Sequence, residues 1–372
     1  MGSRKQRPGR KTVDHGLGAV LDVFEKELGP GNNADYLKDL FRRSYLDHGN
    51  LTDATRFLAN ELFGKEGLVI LDGDDRELKR LFIPFVKEEL VKQTSHQKVS
   101  ETSDLLKNYN IQVNPREINL FYIEDGIRER IILQDGDYQI NNISKRYTES
   151  ELMQLLESEP EKFSPNVIMR PLYQEVILPN LCYIGGGGEI AYWLELKSYF
   201  EASGVTFPVL LVRNSVLLAT EKQVHKLDNL GLTWADMFSK QENLVNKKVQ
   251  LFSQFTLDFS AQKNFLKKQF ENLHEIAVKT DKSFSGAVKA QEVKQLKGLE
   301  NLEKRLLKAE KYAHSEELNR ITALQDELFP GNGLQERKAN FSEFYLEFDG
   351  KLLEELFARL KPLEQGFNVI VL

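Results

Sequence analysis

Apolar positions recur every three or four residues over 13–28, where Val20, Val23, Phe24 and Leu28 form one stripe. That spacing predicts an amphipathic helix, stopped by Gly29-Pro30-Gly31. The same period predicts helices over 33–45, with Tyr36, Leu37, Leu40 and Phe41 on one face, and over 52–63, capped by Thr52 or Asp53. The pattern then changes. Residues 67–71 (GLVIL) are continuously apolar, as expected of a strand buried on both faces. They run into Asp72-Gly73-Asp74-Asp75 and a helix over 76–92. Strand, acidic turn and helix make a βα unit of an open α/β sheet, in which ligands sit beyond the carboxyl ends of the strands.

Residues 118–123, a turn at Glu124-Asp125-Gly126 and residues 128–133 read as a β-hairpin, followed by another turn and a short strand over 138–140. These are expected to form a small β insertion. Thr148 and Glu151 have the spacing of a capping box for a helix over 148–157. The α/β pattern returns with a strand at 167–169 leading to Arg170 and Gln174, and a buried strand at 181–184. A Gly-rich turn, a helix over 190–202 and a strand pair within 207–218 follow.

Between 221 and 329 there is no proline, and Lys, Glu, Gln and Leu dominate. Val293, Leu296, Leu299, Leu302 and Leu306, then Ile321, Leu324 and Leu328, step by three and four, the seam of a coiled coil. A turn at 280–286 would make this region two long antiparallel helices. The tail 367–372 (FNVIVL) reads as a strand.

Composition narrows the classes. The 372 residues suggest two or three domains at about 150 each. The formal charge of −6 gives no global attraction for nucleic acid or an anionic membrane. No apolar run reaches the ~18 residues of a membrane span. The single cysteine, Cys182, excludes an intramolecular disulfide and reads as a small core residue. Met1–Lys11 is basic without an apolar core, so it does not read as a signal peptide, and a cytoplasmic location is expected.

Four groups carry candidate chemistry. Gly185, Gly186, Gly187 and Gly188 followed by Glu189 form a strand-to-helix turn whose amides could approach a ligand, with Glu189 receiving an amine or a hydroxyl. Glu189 could equally serve only the helix dipole. Asp72, Asp74 and Asp75 could hold a divalent cation or could cap the following helix. Arg170 could clamp a carboxylate or pair with a structural acid. Gly331 to Arg337 could form a phosphate nest or a helix C-cap and turn. The six histidines are scattered and show no metal-ligand spacing.

The runs 31–37 (GNNADYL), 68–75 (LVILDGDD), 170–174 (RPLYQ), 183–193 (YIGGGGEIAYW) and 328–337 (LFPGNGLQER) resemble, in order, the cysteine ligases of bacillithiol biosynthesis, the BshC family. The resemblance covers nearly all of the chain after about residue 7. It implies an α/β fold with a Rossmann-like core akin to class I aminoacyl-tRNA synthetases, a connective-peptide-like β insertion and a long antiparallel helical coiled coil that dimerises. Placed on this sequence, the core is 1–94 with 146–220, the insertion 95–145, the coiled coil 221–330, and 331–372 a segment returning to the core. Family members also carry an N-terminal Gly- and Gln-rich turn and an acidic-His motif that this sequence does not show. The expectation is therefore a C-terminal portion with an incomplete core.

The implied reaction joins cysteine to glucosaminyl-malate through a carbon–nitrogen bond. The resemblance implies catalytic roles for Glu189, Arg170 and Gln174, and substrate contacts at Gly185, Gly186, Gly187, Gly188 and Asp72. It implies a second, nucleotide-binding pocket at Arg213, Asn214, Ser215, Leu334, Gln335, Glu336 and Arg337. No metal site is implied, and ATP or ADP is the candidate nucleotide. The expected assembly is a homodimer through the coiled coil, with no nucleic-acid or membrane partner. Two rival readings are a metal-dependent sugar-nucleotide transferase using Asp72 and Asp74, and a non-catalytic coiled-coil dimerisation protein.

Overall fold

A computed structural model describes residues 15–372; the basic segment Met1–Lys11 lies outside the described residues. The first helices are α1 (His15–Leu28), α2 (Asn32–Leu46) and α3 (Leu51–Phe63). Leu37 and Leu40 are buried as their spacing predicts, but on α1 Leu21 is buried while Val20 and Val23 are each 60% exposed. The cap of α3 is Asn50, whose side chain accepts from the Asp53 amide, rather than Thr52 or Asp53. Residues 67–71 form no strand. Leu68, Val69 and Leu71 stay exposed because no described strand lies alongside to take up their backbone groups.

The helix expected over 76–92 is broken at Phe82 into α4 (Arg76–Leu81) and α5 (Ile83–Lys92), with Pro84 in the first turn of α5. Proline lacks the amide that would continue the ladder. After α6 (Thr94–Leu105) come β1 (Leu120–Glu124), β2 (Ile127–Gln134), β3 (Asp137–Ile140) and β4 (Lys145–Tyr147). The capping box of Thr148 and Glu151 opens α7 (Glu149–Ser158), and β5 (Phe163–Pro165) follows. These strands form one antiparallel sheet in the order β4-β3-β2-β1-β5.

The strand expected at 167–169 is absent. Arg170 instead opens a helix, α8 (Arg170–Ile177), with Pro171 at a first-turn position where its missing amide costs nothing. Then come β6 (Cys182–Gly185), α9 (Gly187–Leu194), α10 (Lys197–Ala202) and β7 (Val209–Val212). The helix expected over 190–202 is interrupted at Glu195 and Leu196, both buried, where the Glu195 carboxylate accepts from the Gln112 amide. Strands β6 and β7 pair in parallel.

The second stretch holds β8 (Ser215–Ala219), α11 (Glu221–Asn229), α12 (Trp234–Met237), α13 (Gln241–Phe252), α14 (Ser260–Ala277), α15 (Lys282–Ala313) and α16 (Ser315–Leu328). The tail holds α17 (Phe341–Phe348), α18 (Lys351–Arg359) and β9 (Phe367–Val371). The pair expected within 207–218 is resolved differently: β7 joins β6, and β8 pairs in parallel with β9. Helices α14 and α15 are antiparallel, since Lys263 meets Glu303 and His274 meets Glu292. Their turn is at 278–281, and Asp281 caps α15, so residues 282–286 are helical.

The chain divides into two compact units. One comprises the residues up to Asn214 together with Ser342–Gly366; the other comprises Ser215–Phe341 with Phe367–Leu372. The tail thus serves both units, and 95–145 is not all β, because α6 lies within it. In the first unit one core joins the inner sheet face (Tyr122, Ile131, Ile140) to Phe82, Leu90, Leu152, Trp193 and Phe200. There Tyr36 stacks on Tyr345 at 5.1 Å, fastening α2 to α17. In the second unit Leu217, Leu244, Ile321, Leu324 and Leu328 form the core.

Candidate functional site

In the first unit, a cavity of about 430 Å³ lies among the loop 69–74, the sheet and α8. It brings Asp72 to Arg170 and Gln174, which lie about 100 residues further on and one turn apart on α8, with Asp74, Tyr173, Ile123 and Ser164. The apolar run that fails to become a strand supplies Val69 and Leu71 as its wall.

The acidic turn is built by its own hydrogen bonds. Asp72 Oδ1 accepts from the Asp74 amide at 2.9 Å. Asp75 caps α4 by accepting from the amides of Glu77 and Leu78. Asp74 is ion-paired with Lys79, whose ammonium is buried and also donates to the Glu161 carbonyl. Among the described residues no group of three or more His, Cys, Asp or Glu could hold a metal ion. With Asp74 committed to Lys79 and Asp75 to a helix cap, the acidic turn is explained without a cation.

Tyr173 ties α8 to this turn by donating from its hydroxyl to the Gly73 carbonyl at 3.0 Å. Burial first, and then the carboxylates of Asp74, Asp75 and Asp72, push its phenol above the usual range, so it stays a neutral donor. One turn earlier, Arg170 Nη2 donates to the Tyr192 hydroxyl at 2.9 Å. Tyr173 had no separate signal in the sequence beyond lying one helical turn from Arg170.

The glycine tetrad is placed elsewhere. Gly185 ends β6, Gly186 precedes α9, and Gly187 and Gly188 form its first turn; none borders the cavity of Asp72 and Arg170. Glu189 is occupied locally, its Oε2 accepting from the Gly186 amide at 2.9 Å. A side chain at Gly185 would lie 2.7 Å from the Tyr183 ring, which itself stacks on Trp193 at 4.0 Å. Nothing lies within 4 Å of a side chain built at Gly187 or Gly188. The Arg170–Tyr192 hydrogen bond is what links α9 to the cavity.

The residues of the expected second pocket are divided between the units. In the first, the Arg213 amide donates to the Gly185 carbonyl, and Asn214 Nδ2 donates to the carbonyls of Lys361 and Glu364. In the second, Ser215 opens β8 opposite Phe367. Gln335 is buried and its amide group pairs with both the amide and the carbonyl of Leu218, acting as a strand partner for β8. Glu336 accepts from the Val216 amide and lies 3.7 Å from Arg337. Leu334 borders a cavity of about 450 Å³ with Phe238, Lys240 and Asn332.

Cys182 is half-buried in β6, not deep in the core. No described helix is long and apolar enough to cross a membrane.

A Rossmann-like α/β unit followed by a helical coiled-coil unit defines the class. Residues 1–214 match the family described as bacillithiol biosynthesis BshC, N-terminal Rossmann-like domain, and residues 216–372 match its C-terminal coiled-coil domain. The junction falls where the structure itself divides. A relative from Flavobacterium johnsoniae is 62% identical over 357 residues, covering 96% of this chain and 68% of the relative. One from Flavobacterium psychrophilum is 61% identical, covering 94% and 66%, and one from Christiangramia forsetii is 55% identical, covering 95% and 66%. All three bear the name "Putative cysteine ligase BshC". The chain belongs to the BshC family of bacillithiol biosynthesis. It spans about two thirds of the length of these relatives.

Proposed function

We propose that the chain acts as a cysteine ligase, joining the carboxylate of cysteine to the amine of glucosaminyl-malate as an amide. The observation that carries this reading is the meeting of Asp72, Arg170 and Gln174 in one cavity of a BshC-family chain. The Arg170 guanidinium would clamp a substrate carboxylate with two parallel hydrogen bonds. Asp72 would receive the substrate ammonium with its Oδ2, since Oδ1 is occupied by the Asp74 amide. Gln174 would orient the ligand through its amide.

Amide formation from a carboxylate and an amine releases water and needs the carboxylate activated. ATP is the cosubstrate we put forward for that step: the cysteine carboxylate would take a phosphoryl or adenylyl group from it, releasing ADP or pyrophosphate, and attack by the amine would expel phosphate or AMP with the carboxylate oxygen, so that no free water is formed. The attacking amine must be neutral, and Asp72 beside it would hold the proton it gives up. Glu189 enters this scheme through Gly186 and α9, and Tyr192 on that helix holds Arg170 in place.

The test is to incubate the purified chain with cysteine and glucosaminyl-malate, with and without ATP and Mg²⁺, and to look for bacillithiol by mass spectrometry. Product that disappears in Arg170→Gln supports the reading. No product under any condition overturns ligation by this chain.

A further inference from the structure

We propose that another cavity of the first unit, lined by His96, Arg116 and Arg130, is a binding site for the phosphate group of a small organic molecule. It measures about 370 Å³ and shares no lining residue with the cavity of Asp72 and Arg170.

The sheet register opens it. The pairing of β1 with β2 ends at Phe121 and Arg130, whereas β2 runs on to Gln134 beside β3. The end of β2 therefore has a strand on one side only, and the irregular segment 115–118 borders the gap on the other. The Asn141 amide donates to the Arg130 carbonyl at 2.8 Å, so Arg130 and Ile132 point their backbone groups at β3, and Ile131 and Leu133 point theirs away from it. The Leu133 amide thereby faces the gap with no described strand opposite.

Two guanidinium groups share this cavity without a counter-charge. Among the described residues neither Arg116 nor Arg130 makes an ion pair or a side-chain hydrogen bond, and the His96 imidazole is equally unengaged. Elsewhere on the sheet Lys145 pairs with Glu124, and Arg146 with Asp137 at 3.0 Å. Glu117 is the one acid of the lining and pairs with neither arginine, so the cavity keeps an excess of positive charge. Arg116 is anchored through its backbone. Its amide donates to Asn119 Oδ1 at 3.1 Å, its carbonyl accepts from Asn119 Nδ2 at 2.7 Å, and Asn119 is fully buried.

A phosphate monoester carries close to two negative charges at neutral pH and has three acceptor oxygens. It matches two guanidinium forks, an imidazole and an amide better than a carboxylate does, with its single charge and two oxygens. Ile118, Ile131 and Ile132 give the wall an apolar part against which the organic body would pack. The volume suits a small molecule rather than a polymer.

The inference stands apart from the ligase reading, and binding tests it without turnover. Phenyl phosphate, inorganic phosphate and benzoate are titrated calorimetrically into the full chain, and phenyl phosphate into Arg130→Gln, Arg116→Gln and Arg170→Gln. Phenyl phosphate should bind more tightly than either of the other two. Arg130→Gln and Arg116→Gln should each weaken it about tenfold, and Arg170→Gln should change it less than about twofold. Arg116 is exposed, so its variant carries the test if Arg130→Gln fails to fold. No saturable binding of phenyl phosphate, equal affinity for benzoate, or unchanged affinity in the Arg116 and Arg130 variants overturns the proposal. Binding lost in Arg170→Gln and kept in those two also overturns it, by placing the anion in the cavity at α8.

Discussion

The Arg170 guanidinium donates to the Tyr192 hydroxyl at 2.9 Å, so the first residue of α8 is held by the second turn of α9, the helix that follows the glycine tetrad. Arg170 itself is exposed, and the hydrogen bond restricts where its other donors can point. Tyr192→Phe removes that restraint and nothing else polar. The donor is charged but exposed, which keeps the bond to about 1 kcal/mol, so affinity for L-malate should fall about fivefold with only a small drop in melting temperature. Calorimetric titration checks it; equal affinity in the two proteins would show that Arg170 needs no help from α9.

The glycine tetrad is sterically uneven. Gly185→Ala would press a methyl group against the Tyr183 ring stacked on Trp193, and a displaced core aromatic should cost about 1–3 kcal/mol in chemical denaturation. Gly187→Ala and Gly188→Ala meet open space and should leave stability unchanged or slightly raised. Turnover measured on the last two then isolates any need for close ligand approach.

Glu189 separates two roles by chemistry. Glu189→Gln retains an oxygen that can accept from the Gly186 amide, and Glu189→Ala does not. If Glu189 works as a cap, only the alanine variant loses stability, by about 1 kcal/mol, and the glutamine variant keeps its turnover. A glutamine variant that melts normally but makes no product would assign Glu189 a direct part in the chemistry.

Acid should weaken the second unit through Asp236. Its carboxylate is held down to about 2, chiefly by the hydrogen bond from Lys247 at 2.6 Å and then by the Thr233 amide and hydroxyl of its capping box. The folded form therefore binds fewer protons than the unfolded form between that value and the ordinary aspartate range. The stabilisation is complete above that range and is lost as pH falls toward 2. Lys247 is largely exposed, so screening limits the effect to about 1 kcal/mol. The stability gap between wild type and Asp236→Asn should be constant above pH ~5 and close below pH ~3.

The coiled coil exposes Phe265, Ile276, Val293 and Leu302, each more than half accessible. If these form a seam between two copies, as the homodimer reading requires, the chain should sediment as a dimer. Phe265→Asp with Val293→Asp should make it a monomer without unfolding the second unit, whose core lies in other residues. A wild-type monomer at micromolar concentration would overturn the homodimer.

Local chemistry alone determined a good part of this protein. The three- and four-residue spacings specify helices at the start of the chain and in the hairpin of α14 and α15, but the two long helices expected over 221–330 are six among the described residues, and Ile321, Leu324 and Leu328 pack in the core of the second unit rather than continuing the seam. Thr148 with Glu151 fixes a helix start through two reciprocal hydrogen bonds, and Glu124-Asp125-Gly126 fixes a hairpin, because both are satisfied within a few residues. The order of motifs carried the family.

Tertiary structure decided what depends on distant partners. Residues 68–71 have the composition of a buried strand, but a strand exists only where a neighbour accepts its hydrogen bonds, and here the segment lines a cavity instead. The parallel pairing of β8 with β9 joins residues about 150 positions apart, which no local pattern specifies. Whether a candidate side chain is free or already engaged was decided in the same way. Asp72, Arg170 and Gln174 converge because α8 folds against the acidic turn through Tyr173. Gln335 is spent on Leu218, and Arg128 reaches across Phe121 only because the sheet register sets them on one face.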